Sequence, residues 1–135
     1  MIKLITGKKG TGKTKILIDK INESVKSSNG SIVCVEKGST VRYSVSRKVR
    51  WCDTEYYKVE GYEAFYGFIA GLLASNYDIT DIFVDGIFKI GGRDYEAFGC
   101  LLEKIDKLTG DDASVVFTVS ADVEELPESV KQFIK

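Results

Sequence analysis

Apolar residues occur along the chain in two patterns, short continuous runs and longer stretches where they recur every three to four positions. A continuous run is typical of a buried parallel strand, whereas the wider spacing predicts a helix with one buried face. The runs predict strands at 2–6, 31–36, 79–85 and 114–119 and a short edge strand at 49–52. The spaced stretches predict helices at 15–25, 62–74 and 95–108. Pro127 is expected to open a short terminal helix, because its fixed backbone angle suits a first helical position.

This alternation of strands and helices predicts a three-layer α/β fold. Helices would cover both faces of a mostly parallel sheet of about four to five strands. A length of 135 residues suits one domain, so we expect residues 1–135 to fold as a single unit. Ligands of such sheets bind beyond the carboxyl ends of the strands. We therefore expect Gly7, Glu36, Asp85 and Ser120 to share one edge.

Composition narrows the classes of function. The net charge is −1, so the chain as a whole has no attraction to nucleic acid or to an anionic membrane. The chain has no histidine, which excludes catalysis by a histidine base or a Ser-His pair. Its three cysteines are scattered and odd in number, as in reduced cytosolic proteins. With no leader pattern and no apolar run long enough for a bilayer, we expect a cytoplasmic protein without membrane contact.

The strongest motif lies between the first strand and the first helix. Gly7, Lys8, Lys9, Gly10, Thr11, Gly12, Lys13 and Thr14 spell G-x-x-x-x-G-K-T. In this context the pattern predicts a phosphate-binding loop, in which backbone N–H groups at a helix N-terminus surround phosphate oxygens. Lys13 would contact the β- and γ-phosphates, and the Thr14 hydroxyl would bind Mg²⁺. The sequence thus predicts a P-loop NTPase fold with ATP and Mg²⁺ as cofactors.

Two carboxylates are candidates to complete this site. Asp85 ends an apolar strand, where it would hold Mg²⁺ opposite Thr14; the alternative is an aspartate that caps the turn at Gly86. Gly86 occupies the position where many ATPases carry a catalytic glutamate. Glu36, at the end of another strand, is the substitute that could align the attacking water, and its alternative is a solvated strand-end charge. The expected catalytic residues are therefore Lys13, Asp85 and Glu36.

Other polar segments carry weaker signals. Ser120 and Asp122 follow the last strand, where a sensor of the γ-phosphate is common, but 122–125 also fits a helix capping box. The basic segment Lys37–Arg50 suits a lid over phosphates, a nucleic-acid contact or a solvated loop, and Arg93 suits a phosphate contact. Trp51, with two tyrosines nearby, could stack on a base or close an edge of the core.

The motifs at Gly7–Thr14 and at Asp85 resemble a small P-loop family of firmicute bacteria, often labelled ATP-binding protein or twitching motility protein. Similar segments are 4–14, 53–55, 65–71, 75–86 and 120–127, so the likeness spans nearly the whole chain. The resemblance implies ATP binding, and only the phosphate loop and Asp85 transfer with a known chemical role. True twitching-motility ATPases are longer and carry a histidine box. A fainter similarity, at Arg42-Tyr43-Ser44, is to bacterial thymidine kinases.

The predicted function is Mg²⁺-dependent binding of ATP or another purine nucleotide, with slow hydrolysis, in a regulatory or assembly role. A small nucleoside-kinase-like phosphotransferase and a degenerate nucleotide binder with structural use are the alternatives. No candidate strand follows Ser120 to flank the first strand, so we expect an open sheet edge and a homo-oligomer or protein partner. The alternative is that the terminal helix from Pro127 covers this edge and the protein is a monomer. The sequence shows no clear nucleic-acid site.

Overall fold

The computed structural model describes residues 1–134, which form five strands, five helices and two short 3₁₀ turns. The strands are β1 Ile2–Gly7, β2 Ser31–Glu36, β3 Arg50–Asp53, β4 Ile79–Asp85 and β5 Ser114–Ser120. The helices are α1 Lys13–Ser27, α2 Tyr62–Ser75, α3 Ile87–Gly91, α4 Tyr95–Thr109 and α5 Glu128–Lys131. The 3₁₀ turns are Arg42–Ser44 and Val123–Glu125.

All five strands form one parallel sheet in the order β1-β5-β4-β2-β3. The expected mostly parallel α/β sheet is therefore confirmed. In this order β5, the last strand in sequence, lies between β1 and β4. Since the strands are parallel, the segments after Gly7, Glu36 and Asp85 all leave the sheet on the side where the strands have their carboxyl ends, as expected.

Helices cover both faces of the sheet, which makes the fold three-layered. Alternate residues of a strand point to opposite faces, and in β5 Phe117 packs in one core and Val116 in the other. The larger core lies between the strands and helices α2 and α4. In this core the rings of Phe98 and Phe117 pack edge-to-face, with 5.9 Å between their centroids. On the opposite face Leu17 and Ile21 of α1 are fully buried.

Most helices and strands begin and end within one or two residues of the positions predicted from the sequence. Helix α1 begins earlier, at Lys13, directly after Gly12, whose φ of 85° is left-handed. Pro127 lies one position before α5 and caps it rather than occupying its first helical position. Helix α3 was not predicted, because a five-residue helix is too short to show a helical period.

Strands β1 and β3 are the two edges of the sheet. The short strand expected at 49–52 is thus confirmed as an edge strand at Arg50–Asp53. Helix α5 packs against α4.

All three cysteines are free, and Cys34 and Cys52 are buried. Within residues 1–134 no helix is both long enough and apolar enough to cross a bilayer.

Candidate functional site

The segment Gly7–Thr14, called here the glycine loop, joins β1 to α1 at the carboxyl edge of the sheet. Gly10 and Gly12 adopt left-handed φ angles of 84° and 85°, which L-residues with a Cβ rarely adopt. Thr11 Oγ1 and Lys13 Nζ both donate to the Lys8 carbonyl, each at 2.7 Å. The first amides of α1 have no acceptor within the helix, so the loop places unpaired N–H groups and an ammonium side by side.

Asp85, at the end of β4, connects the glycine loop to β5. Thr14 Oγ1 donates to its two carboxylate oxygens, at 3.2 Å to Oδ1 and 3.5 Å to Oδ2. Thr118 Oγ1 donates to Oδ1 at 2.9 Å and accepts from the Gly86 N–H at 2.7 Å. The carboxylate is thus held by hydroxyls from both sides, and Thr118 is itself buried.

These residues line a cavity of about 490 Å³. Its charged side chains are Lys9, Lys13, Lys89, Arg93 and Asp85, and its hydroxyls come from Thr14, Thr118 and Ser120. Among the described residues that line this cavity there are therefore four cations and one carboxylate. This excess of positive charge, beside the N-terminus of α1, favours an anionic ligand with several charged oxygens.

Lys13 is buried within the cavity wall. Desolvation lowers the pKa of its ammonium group below the ordinary value, and the charge of Asp85 opposes that shift. The ammonium therefore gains from a further anionic partner, because a second negative charge nearby favours its protonated form.

Arg93 reaches the same cavity from the turn between α3 and α4. Its guanidinium lies over the Phe88 ring, 5.2 Å from the centroid, and Nη1 donates to the Ser120 carbonyl at 3.1 Å. Nη1 also lies 3.3 Å from the Tyr95 hydroxyl. The expected phosphate-contacting arginine is thus brought to the cavity by both packing and hydrogen bonding.

Glu36 does not line this cavity. It is 2% exposed, and its carboxylate accepts hydrogen bonds from the Val41 N–H at 2.9 Å and from Trp51 Nε1 at 2.7 Å. The expectation of a solvated strand-end charge is therefore wrong. The structure gives the carboxylate a structural task in anchoring the segment that follows β2, and it does not bring the side chain to the glycine loop.

The two polar residues after β5 have different surroundings. Ser120 lines the cavity. Asp122 forms the capping box of the turn Val123–Glu125, where the Asp122 N–H donates to Glu125 Oε1 at 3.3 Å. It also pairs with Lys8 Nζ at 3.3 Å across a partly exposed surface. The capping alternative is thus confirmed for Asp122.

The basic segment after β2 lies elsewhere in the fold. None of its described residues lines the glycine-loop cavity, and its Val41 and Val49 are buried in the core beneath α1. The lid alternative therefore has no support from its position. Trp51 is half-buried at the β3 edge and packs against that same core, as the core-edge alternative expected.

Two residues of the site, Thr118 and Lys89, carry no signal in the amino-acid sequence. Within an apolar strand a single threonine reads as an ordinary strand residue, because threonine is common in sheets. Its importance comes from register: Val84 pairs with Phe117, so the residues that follow them, Asp85 and Thr118, reach the same level. Lys89 lies on α3, a helix that the sequence did not predict, and this helix places the lysine at the cavity.

The donor set around Asp85 fits a magnesium ion that binds together with phosphates. Among residues 1–134, no group of three or more His, Cys, Asp or Glu side chains is arranged to hold a metal. Mg²⁺ is usually held by one or two carboxylates together with phosphate oxygens and water. One carboxylate and the adjacent Thr14 hydroxyl match that requirement.

Comparison with known proteins shows the fold alone. No protein-family model matches the chain, and no curated protein matches it. Among solved structures it is similar to PCH-2 of C. elegans, with a TM-score of 0.58 and 16% sequence identity. The match covers 99% of this chain and 34% of that protein, so this chain spans about a third of its length.

Proposed function

We propose that the protein binds a magnesium-nucleoside triphosphate, ATP or another purine nucleotide, at the glycine loop of a P-loop NTPase fold. The observation that carries the proposal is the contact between Thr14 and Asp85, which are 71 residues apart in the chain. A hydroxyl after the loop lysine and a carboxylate at the end of a strand are the two protein ligands that such nucleotide sites supply to Mg²⁺.

Each loop residue has a role in this proposal. Backbone N–H groups of the loop and of the first turn of α1 bind phosphate oxygens. Lys13 exchanges its hydrogen bond to the Lys8 carbonyl for the terminal phosphates, which are better partners for a desolvated ammonium. Thr14 and Asp85 hold Mg²⁺, which neutralises phosphate charge. Arg93 and Lys89 face the same cavity, where they contact the distal phosphate.

Hydrolysis at this site is slow in our proposal. Asp85 is the only carboxylate among the described residues that line the cavity, and it is held by two threonine hydroxyls. Gly86 has a left-handed φ of 70°, so a glutamate at that position would be strained. We therefore expect turnover well below the common enzymatic value of roughly 10 s⁻¹.

A nucleotide-dependent regulatory or assembly role fits slow turnover, because the bound nucleotide then persists long enough to define a state of the protein. The nucleoside-kinase alternative requires an acceptor site next to the terminal phosphate and predicts product formation from a nucleoside. The degenerate-binder alternative predicts nucleotide binding without hydrolysis. Product assays with a panel of nucleosides separate these alternatives from the favoured proposal.

The direct test is thermal unfolding with a panel of nucleotides, with and without Mg²⁺. At about 100 times the dissociation constant, Mg-ATP should stabilise the protein by roughly 2.7 kcal/mol, which raises the midpoint by roughly 10 °C. Lys13→Ala should remove most of this shift, whereas Lys15→Ala, an exposed neighbour on α1, should retain it. Absence of a shift with every triphosphate would contradict the proposal.

A further inference from the structure

A second cavity of about 600 Å³ lies at the β3 edge of the sheet. We call its charged and aromatic part the basic-aromatic surface, formed by Arg42, Tyr43, Arg47, Lys48, Arg50 and Trp51. Its position differs from that of the glycine loop, which follows β1 at the opposite edge. Four interstrand spacings separate those edges, about 19 Å. The two cavities share no lining residue.

The charge of this surface contrasts with that of the whole chain. Four of its six residues are cations, and residues 37–52 contain no acidic residue, although the protein has a net charge of −1. Arg42, Arg47, Lys48 and Arg50 are all exposed. The preceding carboxylate, Glu36, is buried and hydrogen-bonded, so it leaves the surface positive toward the solvent.

Aromatic rings lie among these cations. The Arg42 guanidinium is 4.6 Å from the centre of the Trp51 ring and 5.5 Å from that of Tyr43. Tyr43 is 85% exposed, so its ring is accessible to a ligand. An exposed ring and a guanidinium plane both offer a flat face on which a nucleobase can stack.

The fold holds this surface in place from below. Val41 and Val49 are buried in the core, and the Glu36 carboxylate binds both the Val41 N–H and the Trp51 indole. Asn22 of α1 donates to the Ser44 carbonyl at 3.2 Å. The segment is therefore anchored at several points, which lowers the entropy lost when a ligand binds it.

We propose that the basic-aromatic surface binds single-stranded nucleic acid, independently of the glycine loop. Arg47, Lys48 and Arg50 bind backbone phosphates, and Tyr43 with the Arg42 guanidinium stacks on a base. An acidic protein would also be attracted to the cations, but charge attraction alone does not require an exposed ring beside a guanidinium. The combination of both features favours single-stranded nucleic acid, whose every unit carries a phosphate and a π-face.

The test uses fluorescence anisotropy with a labelled 15-residue oligothymidine at a series of salt concentrations. Wild type should bind with a dissociation constant of roughly 1–100 µM and a slope of log affinity on log salt of about −2, since each phosphate contact on a single strand contributes about −0.7. Arg47→Glu with Lys48→Glu removes two of the three phosphate contacts, so it should weaken binding at least about 10-fold and flatten the slope by about 1.4. Tyr43→Ala should weaken binding about 5-fold or more with the slope unchanged.

Two controls separate the surface from net charge and from the glycine loop. Lys104→Glu with Lys107→Glu changes the net charge equally on α4, which packs on the opposite face of the sheet, and should stay within about 2-fold of wild type. Lys13→Ala should bind the oligomer as wild type does, so failure of nucleotide binding and failure of this proposal are distinguishable. Thermal unfolding of each variant checks that it is folded.

Three results would overturn the proposal. One is no anisotropy change with wild type up to 200 µM at low salt, at the weak limit of roughly 10⁻⁴ M for non-specific binding. Another is an equal loss of oligomer affinity in the Arg47→Glu/Lys48→Glu variant and in the Lys104→Glu/Lys107→Glu control, which would indicate a net-charge effect. The third is that polyglutamate competes as effectively as unlabelled oligomer and that Tyr43→Ala leaves the oligomer affinity unchanged. That result would indicate an acidic protein partner.

Discussion

Thr118 Oγ1 donates a hydrogen bond to Asp85 Oδ1 at 2.9 Å while it accepts one from the Gly86 N–H at 2.7 Å. One buried hydroxyl thereby orients the carboxylate and satisfies the amide that begins the turn after β4. Thr14 Oγ1 donates to the same Oδ1 at 3.2 Å and to Oδ2 at 3.5 Å, so the geometry opposite the glycine loop depends on a residue of a third element.

Replacement of Thr118 by valine tests this relationship. Valine retains the shape but leaves the Gly86 amide without its acceptor, so the free energy of unfolding should fall by about 1–3 kcal/mol. Urea denaturation measures the change. Thr40→Val, at an exposed position, is the matched control and should change stability by less than about 0.5 kcal/mol. A Thr118→Val protein as stable as wild type would show that the amide finds another partner.

Arg93→Ala is expected to weaken triphosphate binding more than diphosphate binding. Its guanidinium lines the glycine-loop cavity and is already positioned by Phe88 and the Ser120 carbonyl. Loss of one charge-assisted hydrogen bond, worth about 1.5–3 kcal/mol, should lower ATP affinity roughly 10- to 100-fold. Isothermal titration with ATP and ADP measures both affinities. As a control, Arg47→Ala removes a cation remote from this cavity and should change neither affinity. If Arg93→Ala lowers the ATP and ADP affinities equally, the guanidinium does not contact the distal phosphate.

Glu36→Ala is expected to destabilise the protein without a specific effect on nucleotide turnover. The substitution leaves the buried Val41 N–H and the Trp51 indole N–H without acceptors, which should lower the free energy of unfolding by about 1–3 kcal/mol or more. Trp51 is the single tryptophan, so its emission reports the change directly.

The milder Glu36→Gln separates the structural role from water alignment. It keeps one acceptor oxygen and should retain the nucleotide turnover of wild type. Steady-state phosphate release, measured where the variant is fully folded, provides the comparison. A large loss of rate with unchanged nucleotide affinity would restore Glu36 as the residue that aligns the attacking water.

Self-assembly is expected through the sheet edge at β1. This strand pairs with β5 on one side, and α5 packs on α4. A strand that pairs on one side only is a template for pairing with another chain. Light scattering with and without Mg-ATP should detect a species larger than one chain. A monomer under both conditions at micromolar concentration would leave a different protein as the partner.

The exposed Lys3 on β1 allows a sharper form of this test. A lysine on an edge strand opposes direct strand pairing. Lys3→Thr should therefore strengthen self-assembly through β1, and an exchange of the exposed Lys26 on α1 for threonine serves as its control. No difference between the two variants would place the contact elsewhere on the molecule.

The amino-acid sequence by itself determined the strands, the long helices and the glycine loop, because repeated apolar spacing and a strand-glycine-helix motif act through neighbouring residues. The runs at 31–36 and 79–85 are β2 and β4, and the end of β1 leads into Gly7–Thr14 as the motif predicts. Asp122 also behaved as its local pattern indicates, since a capping box needs only four consecutive positions.

Only the tertiary structure decided the strand order and the burial of individual polar groups. Insertion of β5 between β1 and β4 brings Thr118 to Asp85, and long-range pairing of this kind leaves no local signature. The strand end at Glu36 looks the same in sequence whether it meets water or an indole, yet packing of Trp51 against the neighbouring core buries the carboxylate. Local patterns report backbone conformation, whereas the partners of a polar side chain depend on which distant segments the fold brings beside it.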